Sequence, residues 1–301
     1  MFLTVCMNPT IQKTLRFTGL VTDRVNRTSC YRTDPSGKGV NVSRVLSQLG
    51  KQCLHLTQLG GPLRPLFLDL CGKDRIPLQW VESESPIRFC YTLINDADRS
   101  VTELVEEAEP VAAGTEGRLM EAYQQALGGV TWVIISGTKA AGFSDDAVPE
   151  MVRAAKAAGK KVLLDLRGED LRRSLRYKPD IIKPNLSEFI QTFAPEDAGT
   201  GGGGALEGRI RRIALGLAGE YQCRVVLTRG AEPVWFAEGS RFSEAAFEPA
   251  PPVNTTGSGD AFTAGLAAAL ETGAALADAV LAGIACGACN ARLFRVGAIQ
   301  G

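Results

Sequence analysis

The chain predicts an α/β protein, a three-layer α/β/α doubly wound and mostly parallel sheet carrying a small β-sheet lid. From residue 116 onward, short apolar runs alternate with helical segments, the pattern of a parallel sheet covered on both faces. Those runs end in polar residues, at Ser136-Gly137-Thr138, at Asp165 and at Lys183-Pro184-Asn185, and such sheets bind ligands at the C-terminal ends of their strands. Two excursions of alternating apolar and polar residues, near 11–34 and 87–107, interrupt the βα pattern and are expected to form one small sheet over a cleft. The expected division is a core of residues 1–10, 35–86 and 108–301 and a lid of residues 11–34 and 87–107.

Taken in order, residues 2–7 read as a buried strand closed by Asn8-Pro9. Residues 13–17 and 27–33 alternate as strands with one exposed face. The glycine turn 36–41 opens a helix over 42–50, whose residues 42, 45, 46 and 49 share an apolar face and which Gly50 stops. A strand at 54–59 and a helix at 65–71 follow, then strands at 87–95 and 99–106 around the turn Asp96-Ala97-Asp98. The regular part gives a helix at 116–127, a strand at 132–136, a helix at 145–158, and strands at 162–166 and 180–183. Asn185 starts another helix, 200–204 is a flexible glycine loop, and Arg209, Arg211 and Arg212 read as a solvated helix face. A strand at 224–230, a strand pair at 234–237 and 241–247, and helix from 260 to about 293 complete the chain.

With 301 residues, 45% hydrophobic and 22% charged, the chain has ample length for a full core. Thirty-three basic residues balance 33 acidic ones, so no global field draws the protein to nucleic acid or to an anionic membrane, and a small-molecule partner is expected. No run approaches a membrane span, and the apolar start lacks the basic region of a signal peptide, so a cytoplasmic location is expected. Eight scattered cysteines suit buried thiols in a reducing compartment, and Cys286 and Cys289 read as core residues of an Ala/Gly helix rather than a metal pair. His55 is the sole histidine, which leaves a His-based triad or multi-histidine zinc site nothing to build on.

Three stretches carry chemistry. In Asn254-Thr255-Thr256-Gly257-Ser258-Gly259-Asp260, a glycine turn opens an alanine-rich helix, and helix N-termini bind anions through N–H groups that lack internal partners. A carboxylate there would repel a phosphate; Asp260 is either a first-turn residue stabilised by the helix dipole or a base that takes a proton from an attacking hydroxyl, and the stretch alone fits both. Ser36-Gly37-Lys38-Gly39-Val40-Asn41 is a strand-to-helix turn that also sets a lysine and free N–H groups beside something anionic. Asn185-Leu186-Ser187-Glu188 has the spacing of a helix capping box, and equally of a pair that orients water on a magnesium ion at nucleotide phosphates.

Together, in this order and spacing, these stretches resemble the PfkB/ribokinase family of carbohydrate kinases, over nearly the whole chain. Asn8-Pro9-Thr10-Ile11, Val25-Asn26-Arg27 and Asn41-Val42-Ser43-Arg44 are similar to the 1-phosphofructokinase and tagatose-6-phosphate kinase branch. The resemblance implies a ribokinase-like fold and an ATP- and Mg²⁺-dependent transfer of the γ-phosphoryl to a hydroxyl of a ketohexose phosphate, of the fructose 1-phosphate or tagatose 6-phosphate type, giving a bisphosphate. It implies Asp260 as general base and the N–H groups of Gly257, Ser258 and Gly259 as the anion hole for the phosphoryl group in transfer. Asn185 and Glu188 would hold magnesium through water, with Lys183, Thr228, Gly230 and Thr255 near the ATP phosphates and the adenine against residues 283–290. Arg27, Lys38 and Arg88 would surround the sugar's own phosphate, and Gly37 and Asn41 its hydroxyls. Gln12 stands where the branch usually has aspartate, and Gly137-Thr138-Lys139-Ala140 replaces the usual Gly-Ser-Leu-Pro, so the hydroxyl pattern recognised is expected to differ. An unphosphorylated sugar or nucleoside as acceptor, or a non-catalytic sugar-phosphate sensor, are the alternatives. The lid strands suggest a homodimer formed through the lid.

Overall fold

The computed structural model describes residues 1–198, 204–248 and 251–300. The chain opens with β1 (Phe2–Cys6), buried along its whole length, and passes through β2 (Thr10–Phe17) and β3 (Tyr31–Ser36) into α1 (Lys38–Gln48). β4 (Cys53–Leu59), α2 (Arg64–Lys73) and β5 (Leu78–Glu82) follow, and β6 (Arg88–Asn95) and β7 (Ser100–Val105) make the second excursion. Then come α3 (Thr115–Leu127), β8 (Trp132–Ser136), α4 (Ala147–Ala157), β9 (Lys161–Asp165), α5 (Gly168–Ser174), β10 (Ile181–Ile182) and α6 (Leu186–Phe193). The last third holds α7 (Gly204–Tyr221), β11 (Arg224–Arg229), β12 (Glu232–Glu238), β13 (Arg241–Ala245), α8 (Ser258–Glu271) and α9 (Leu276–Ala291).

Nine strands form one sheet in the order β13-β12-β11-β10-β9-β8-β1-β4-β5, parallel except for the β11-β12-β13 end. Its central strands are mainly apolar and buried because both faces are covered, and their period of two sends successive residues to opposite layers. Leu3, Val5, Val133, Ile135, Val162 and Leu164 join one core with helices α3, α4 and α7. Phe2, Trp132, Ile134 and Leu163 join the other with α1, α8 and α9. Strand order reverses at β1, which pairs with β8 on one side and β4 on the other, so the crevice at this switch point opens above Cys6 and Ser136.

The second sheet has the order β3-β2-β6-β7, and its two excursions are joined by parallel pairing of β2 with β6. A third apolar cluster, Ile11, Val40, Leu59, Phe67, Cys71, Ile76 and Ile87, sits where this lid meets the core.

Several boundaries differ from the sequence reading. The strand expected at 27–33 runs instead over Tyr31–Ser36 and includes Pro35, tolerated because β3 is an edge strand. α1 begins four residues before position 42, so the Lys38-Gly39 part of the turn is its first turn. A Cβ at Gly39 would lie 2.8 Å from the Val5 carbonyl oxygen, which is why the helix can enter so close to β1. β5 and α5 had no counterpart in the sequence reading, and the long helix after 260 is two helices, α8 and α9, separated at Gly273. The glycine loop expected at 200–204 lies outside the described residues except for Gly204, the first residue of α7.

Candidate active site

A cleft of about 860 Å³ lies between the C-terminal ends of the main-sheet strands and the lid, a size suited to a small molecule. Its floor is the turn into α8. Gly257 takes φ 82°, and a Cβ there would stand 2.4 Å from the Gly297 nitrogen, so only glycine lets the 254–260 loop lie against the C-terminal segment. Two asparagines brace the loop. Asn254 Oδ1 accepts from the Thr256 N–H at 3.0 Å, and Asn290 of α9 donates to the Thr256 carbonyl at 2.9 Å and to Ser258 Oγ at 3.0 Å. The Ser258 N–H, expected to face a ligand, donates to the Thr255 carbonyl at 3.1 Å. The N–H groups of Gly257 and Gly259 have no protein acceptor among the described residues, and they open on the cleft at the positive end of α8.

Asp260, in the first turn of α8, is 6% exposed. Its Oδ2 accepts from Asn41 Nδ2 at 2.8 Å. Burial raises its pKa from the ordinary 3.8 to about 7; Lys38 and the Asn41 hydrogen bond pull it down, while the Asp165 carboxylate pushes it further up. Lys38 Nζ lies 3.6 Å from Asp165 Oδ1 and 3.1 Å from Glu188 Oε1, and the Asp165 charge holds it well above the usual lysine range. Asp165, at the end of β9, is buried against Lys183 Nζ at 3.3 Å and accepts from Thr263 Oγ1 at 2.9 Å. Burial alone would raise its pKa, but Lys183 and Lys38 keep it below the ordinary value and therefore charged.

Asn185 and Glu188 form the reciprocal cap their spacing predicts: the Glu188 N–H donates to Asn185 Oδ1 at 2.8 Å and the Asn185 N–H to Glu188 Oε2 at 2.9 Å. Both still line the cleft, as do Thr228, Gly230 and Thr255. A parallel bridge between Asn185 and Thr228 fixes their separation.

On the lid side, Gln12 is buried with its Nε2 donating to Thr92 Oγ1 at 2.8 Å. Arg88 lines the cleft, its Nη1 donates to the Glu106 carbonyl, and it has no carboxylate partner among the described residues. Gly37 and Asn41 join the same wall. Of the site residues expected from sequence, Arg27 alone is not brought to the cleft; it is exposed on the loop between β2 and β3.

Sequence reasoning assigned no role to Asp165, Asn254, Asn290 or the lid residues Cys90, Tyr91 and Glu103, all of which line or brace the cleft. Asp165 was visible as a strand end, and Asn290 as an isolated polar residue in an apolar helix. The lid residues carried no signal, because their facing depends on the parallel β2–β6 pairing.

The cleft therefore joins a carboxyl group poised near neutrality, uncommitted N–H groups at a helix start and a buried lysine–carboxylate cluster, a set suited to moving an anionic group onto a hydroxyl. Among solved structures, a possible 1-phosphofructokinase from Thermotoga maritima superimposes with a TM-score of 0.87 at 23% identity, covering 98% of this chain and 93% of that one. Phosphofructokinase-2 from Escherichia coli in complex with fructose-6-phosphate gives 0.82 at 19% identity, over 96% and 92%. Ribokinase from Thermotoga maritima gives 0.74 at 16%, over 99% and 94%. At these identities the likeness is one of fold, ribokinase-like with a separate lid sheet. The activity class comes from the profile of the pfkB family carbohydrate kinases, which matches residues 3–298, both excursions and all three motif stretches included; the chain belongs to that family, and it is a phosphotransferase with an alcohol acceptor.

Proposed function

We propose that this carbohydrate kinase transfers the γ-phosphoryl of ATP to a hydroxyl of a ketohexose phosphate, of the fructose 1-phosphate or tagatose 6-phosphate type, to give a bisphosphate and ADP. The observation that carries the reading is Asp260, a buried carboxyl group tuned to about 7 beside the free N–H groups of Gly257 and Gly259. The acceptor oxygen attacks the γ-phosphorus as its proton passes to the Asp260 carboxylate, and the bond to the β-phosphate oxygen breaks. The two glycine N–H groups meet the charge on the phosphoryl oxygens, and Ser258 fixes the turn that aims them.

Lys183, Thr228, Gly230 and Thr255 are assigned to the nucleotide phosphates. Among the described residues no three His, Cys, Asp or Glu side chains converge as a metal cage. Both Glu188 oxygens are engaged, by Lys38 and by the Asn185 N–H. That donor set fits Mg²⁺ held through water by Asn185 and Glu188, with the nucleotide supplying oxygens directly. When bound, the cation would neutralise phosphate charge.

Lys38 was expected beside the sugar's own phosphate, but its two ion pairs commit it to Asp165 and Glu188. Among the described residues that line the cleft, Arg88 is the cation without a carboxylate partner and is assigned that role, while Gly37, Asn41 and Gln12 are assigned to the hydroxyls. Residues 11–34 and 87–107 act as the lid over the core of 1–10, 35–86 and 108–301. Among the described residues, five of the eight exposed large apolar side chains, Val21, Val25, Tyr31, Leu104 and Val105, lie on the lid strands or their connecting loop, which supports a homodimer through the lid and leaves Arg27 at its surface.

One observation favours a second acceptor class: Glu103, whose carboxylate has no partner among the described residues, lies in the same wall of the cleft as Arg88, which suits an unphosphorylated sugar. ADP release measured over a panel of sugars and sugar phosphates decides. Turnover with ketohexose phosphates at least about tenfold above that with free sugars is expected, and the reverse order would replace the reading. Arg88→Ala should raise the KM for the sugar phosphate about 10- to 100-fold, the weight of a charged hydrogen-bonding group, and leave the KM for ATP within about twofold. An equal rise in both would remove Arg88 from the acceptor site.

A further inference from the structure

Asn41 is an amide held between two groups of opposite demand. Its Nδ2 faces Asp260 Oδ2 at 2.8 Å, and its Oδ1 faces Arg44 Nη1 at 2.9 Å and Ser36 Oγ at 3.1 Å. An arginine offers only donors and an ionised carboxylate only acceptors, so a flipped amide would set NH₂ against guanidinium and oxygen against carboxylate. The guanidinium therefore dictates which end of Asn41 meets the base.

Arg44 is itself pinned from every side. It is 2% exposed, its Nε donates to Asp74 Oδ2 at 2.8 Å, and Nη2 donates to the Pro35 carbonyl of β3. Nη1 also reaches the Val296 and Gly297 carbonyls at 3.3 and 3.2 Å. Arg295 adds a second cation between Asp34 and Asp74, with Nε 3.0 Å from Asp34 Oδ1. Gly297, at φ 58°, packs so closely that a Cβ there would lie 2.4 Å from Asn41 Cβ and Cγ. A buried cation held in this way is rigid enough to orient its neighbour.

We propose that Arg44 is a positioning residue for phosphoryl transfer: by holding Asn41 in one amide orientation, it commits Asp260 Oδ2 to a protein donor and leaves Oδ1 for the acceptor hydroxyl. The proposal rests on the reading of Asp260 as the base. Asp260 also faces Lys38 from α1, Asp165 from β9, Lys183 after β10 and Cys6 from β1, and none of these touches Arg44. Of the groups that act on the Asp260 carboxylate, Asn41 is therefore the one that changes at Arg44 reach directly.

The test uses Arg44→Lys, which keeps the charge for Asp74 but has too short a fork to serve Asn41 and Pro35 at once. A second variant, Arg44→Met combined with Asp74→Asn, removes the buried pair together. In either, kcat should fall about tenfold, the loss of one oriented hydrogen bond, with ATP affinity by calorimetry within about twofold of the parent. The acid limb of the kcat/KM profile should move to higher pH, since a carboxylate that loses a donor is harder to ionise. The Asp260 titration, followed by carbon-13 carboxyl NMR without substrates, should move the same way and does not depend on turnover. A folded variant whose Asp260 midpoint matches the parent overturns the proposal; loss of cooperative unfolding in both variants does so as well, by making Arg44 merely structural. A parent inactive on every acceptor would instead sink the kinase reading and leave the titration readable.

Discussion

Asp260→Asn is expected to lower kcat about 10²- to 10⁴-fold, the range for loss of a general base, while the affinity for ATP stays within about twofold. The amide keeps the size of the side chain and its place in the first turn of α8, so the turn into the helix is preserved and only proton acceptance is lost. In the parent, kcat/KM should rise with pH through about 7, where the buried carboxyl ionises under the opposing influences of burial, Lys38 and Asp165. The same shift has a stability consequence. A carboxyl whose folded pKa is raised from 3.8 to about 7 stabilises nothing at alkaline pH; its cost to the fold is absent below 3.8 and builds as pH rises through about 7. Asp260→Asn should therefore unfold at a higher temperature than the parent at pH 8, by the equivalent of roughly a few kcal/mol, and the gap should close towards pH 4. Thermal melts across that range check it: a variant less stable than the parent at pH 8 would make Asp260 a structural cap, and retention of most turnover would remove it as the base.

Gly257→Ala is expected to be nearly as damaging for a different reason. Its added methyl group would stand 2.4 Å from the Gly297 nitrogen and 3.0 Å from Val296 Cγ1, and the backbone at φ 82° disfavours any L side chain. The turn must open, which withdraws the Gly257 and Gly259 N–H groups from where the phosphoryl oxygens gather charge. Loss of such a donor lowers kcat about 10²- to 10³-fold. Because Gly297 also packs on Asn41, the displacement should reach the acceptor side, so single-turnover rates should fall while ATP still binds. A variant with parental kcat and a raised KM for ATP alone would show the loop to be a binding element and no more.

The legible parts of the fold were those where one local cause suffices. β8 was read with both ends correct because Trp132-Val-Ile-Ile-Ser136 is apolar on both faces, and the start of α8 at Gly257, Gly259 and Asp260 was legible because a glycine turn runs there into an alanine-rich segment. β5 escaped notice because it is an edge strand of mixed, half-buried residues, and β10 shrank to Ile181–Ile182 ahead of Pro184. Asp180, read as the start of that strand, instead spends its carboxylate on Lys156, Lys161 and the Val162 N–H. Arg44, Asp74 and Arg295 belong to three separate stretches, and nothing in any of them announces the other two. Lys38 was read as a cation beside the sugar's own phosphate; its ion pairs with Asp165 and Glu188 were not legible because those residues come more than a hundred residues later.

The lid's two excursions meet in the parallel β2–β6 pair, where Gln12 and Thr92 bond across 80 residues of chain. The seam is a long-range pairing of high contact order: β3, α1, β4, α2 and β5 all lie between its two strands in the chain. The lid wall of the cleft is thus tied to the core elements that its two excursions enclose, through the shared cluster of Ile11, Val40, Leu59, Phe67 and Ile87. Substitutions in that intervening segment that shift the β2–β6 seam would therefore move Gln12 and Arg88, on its two strands, together.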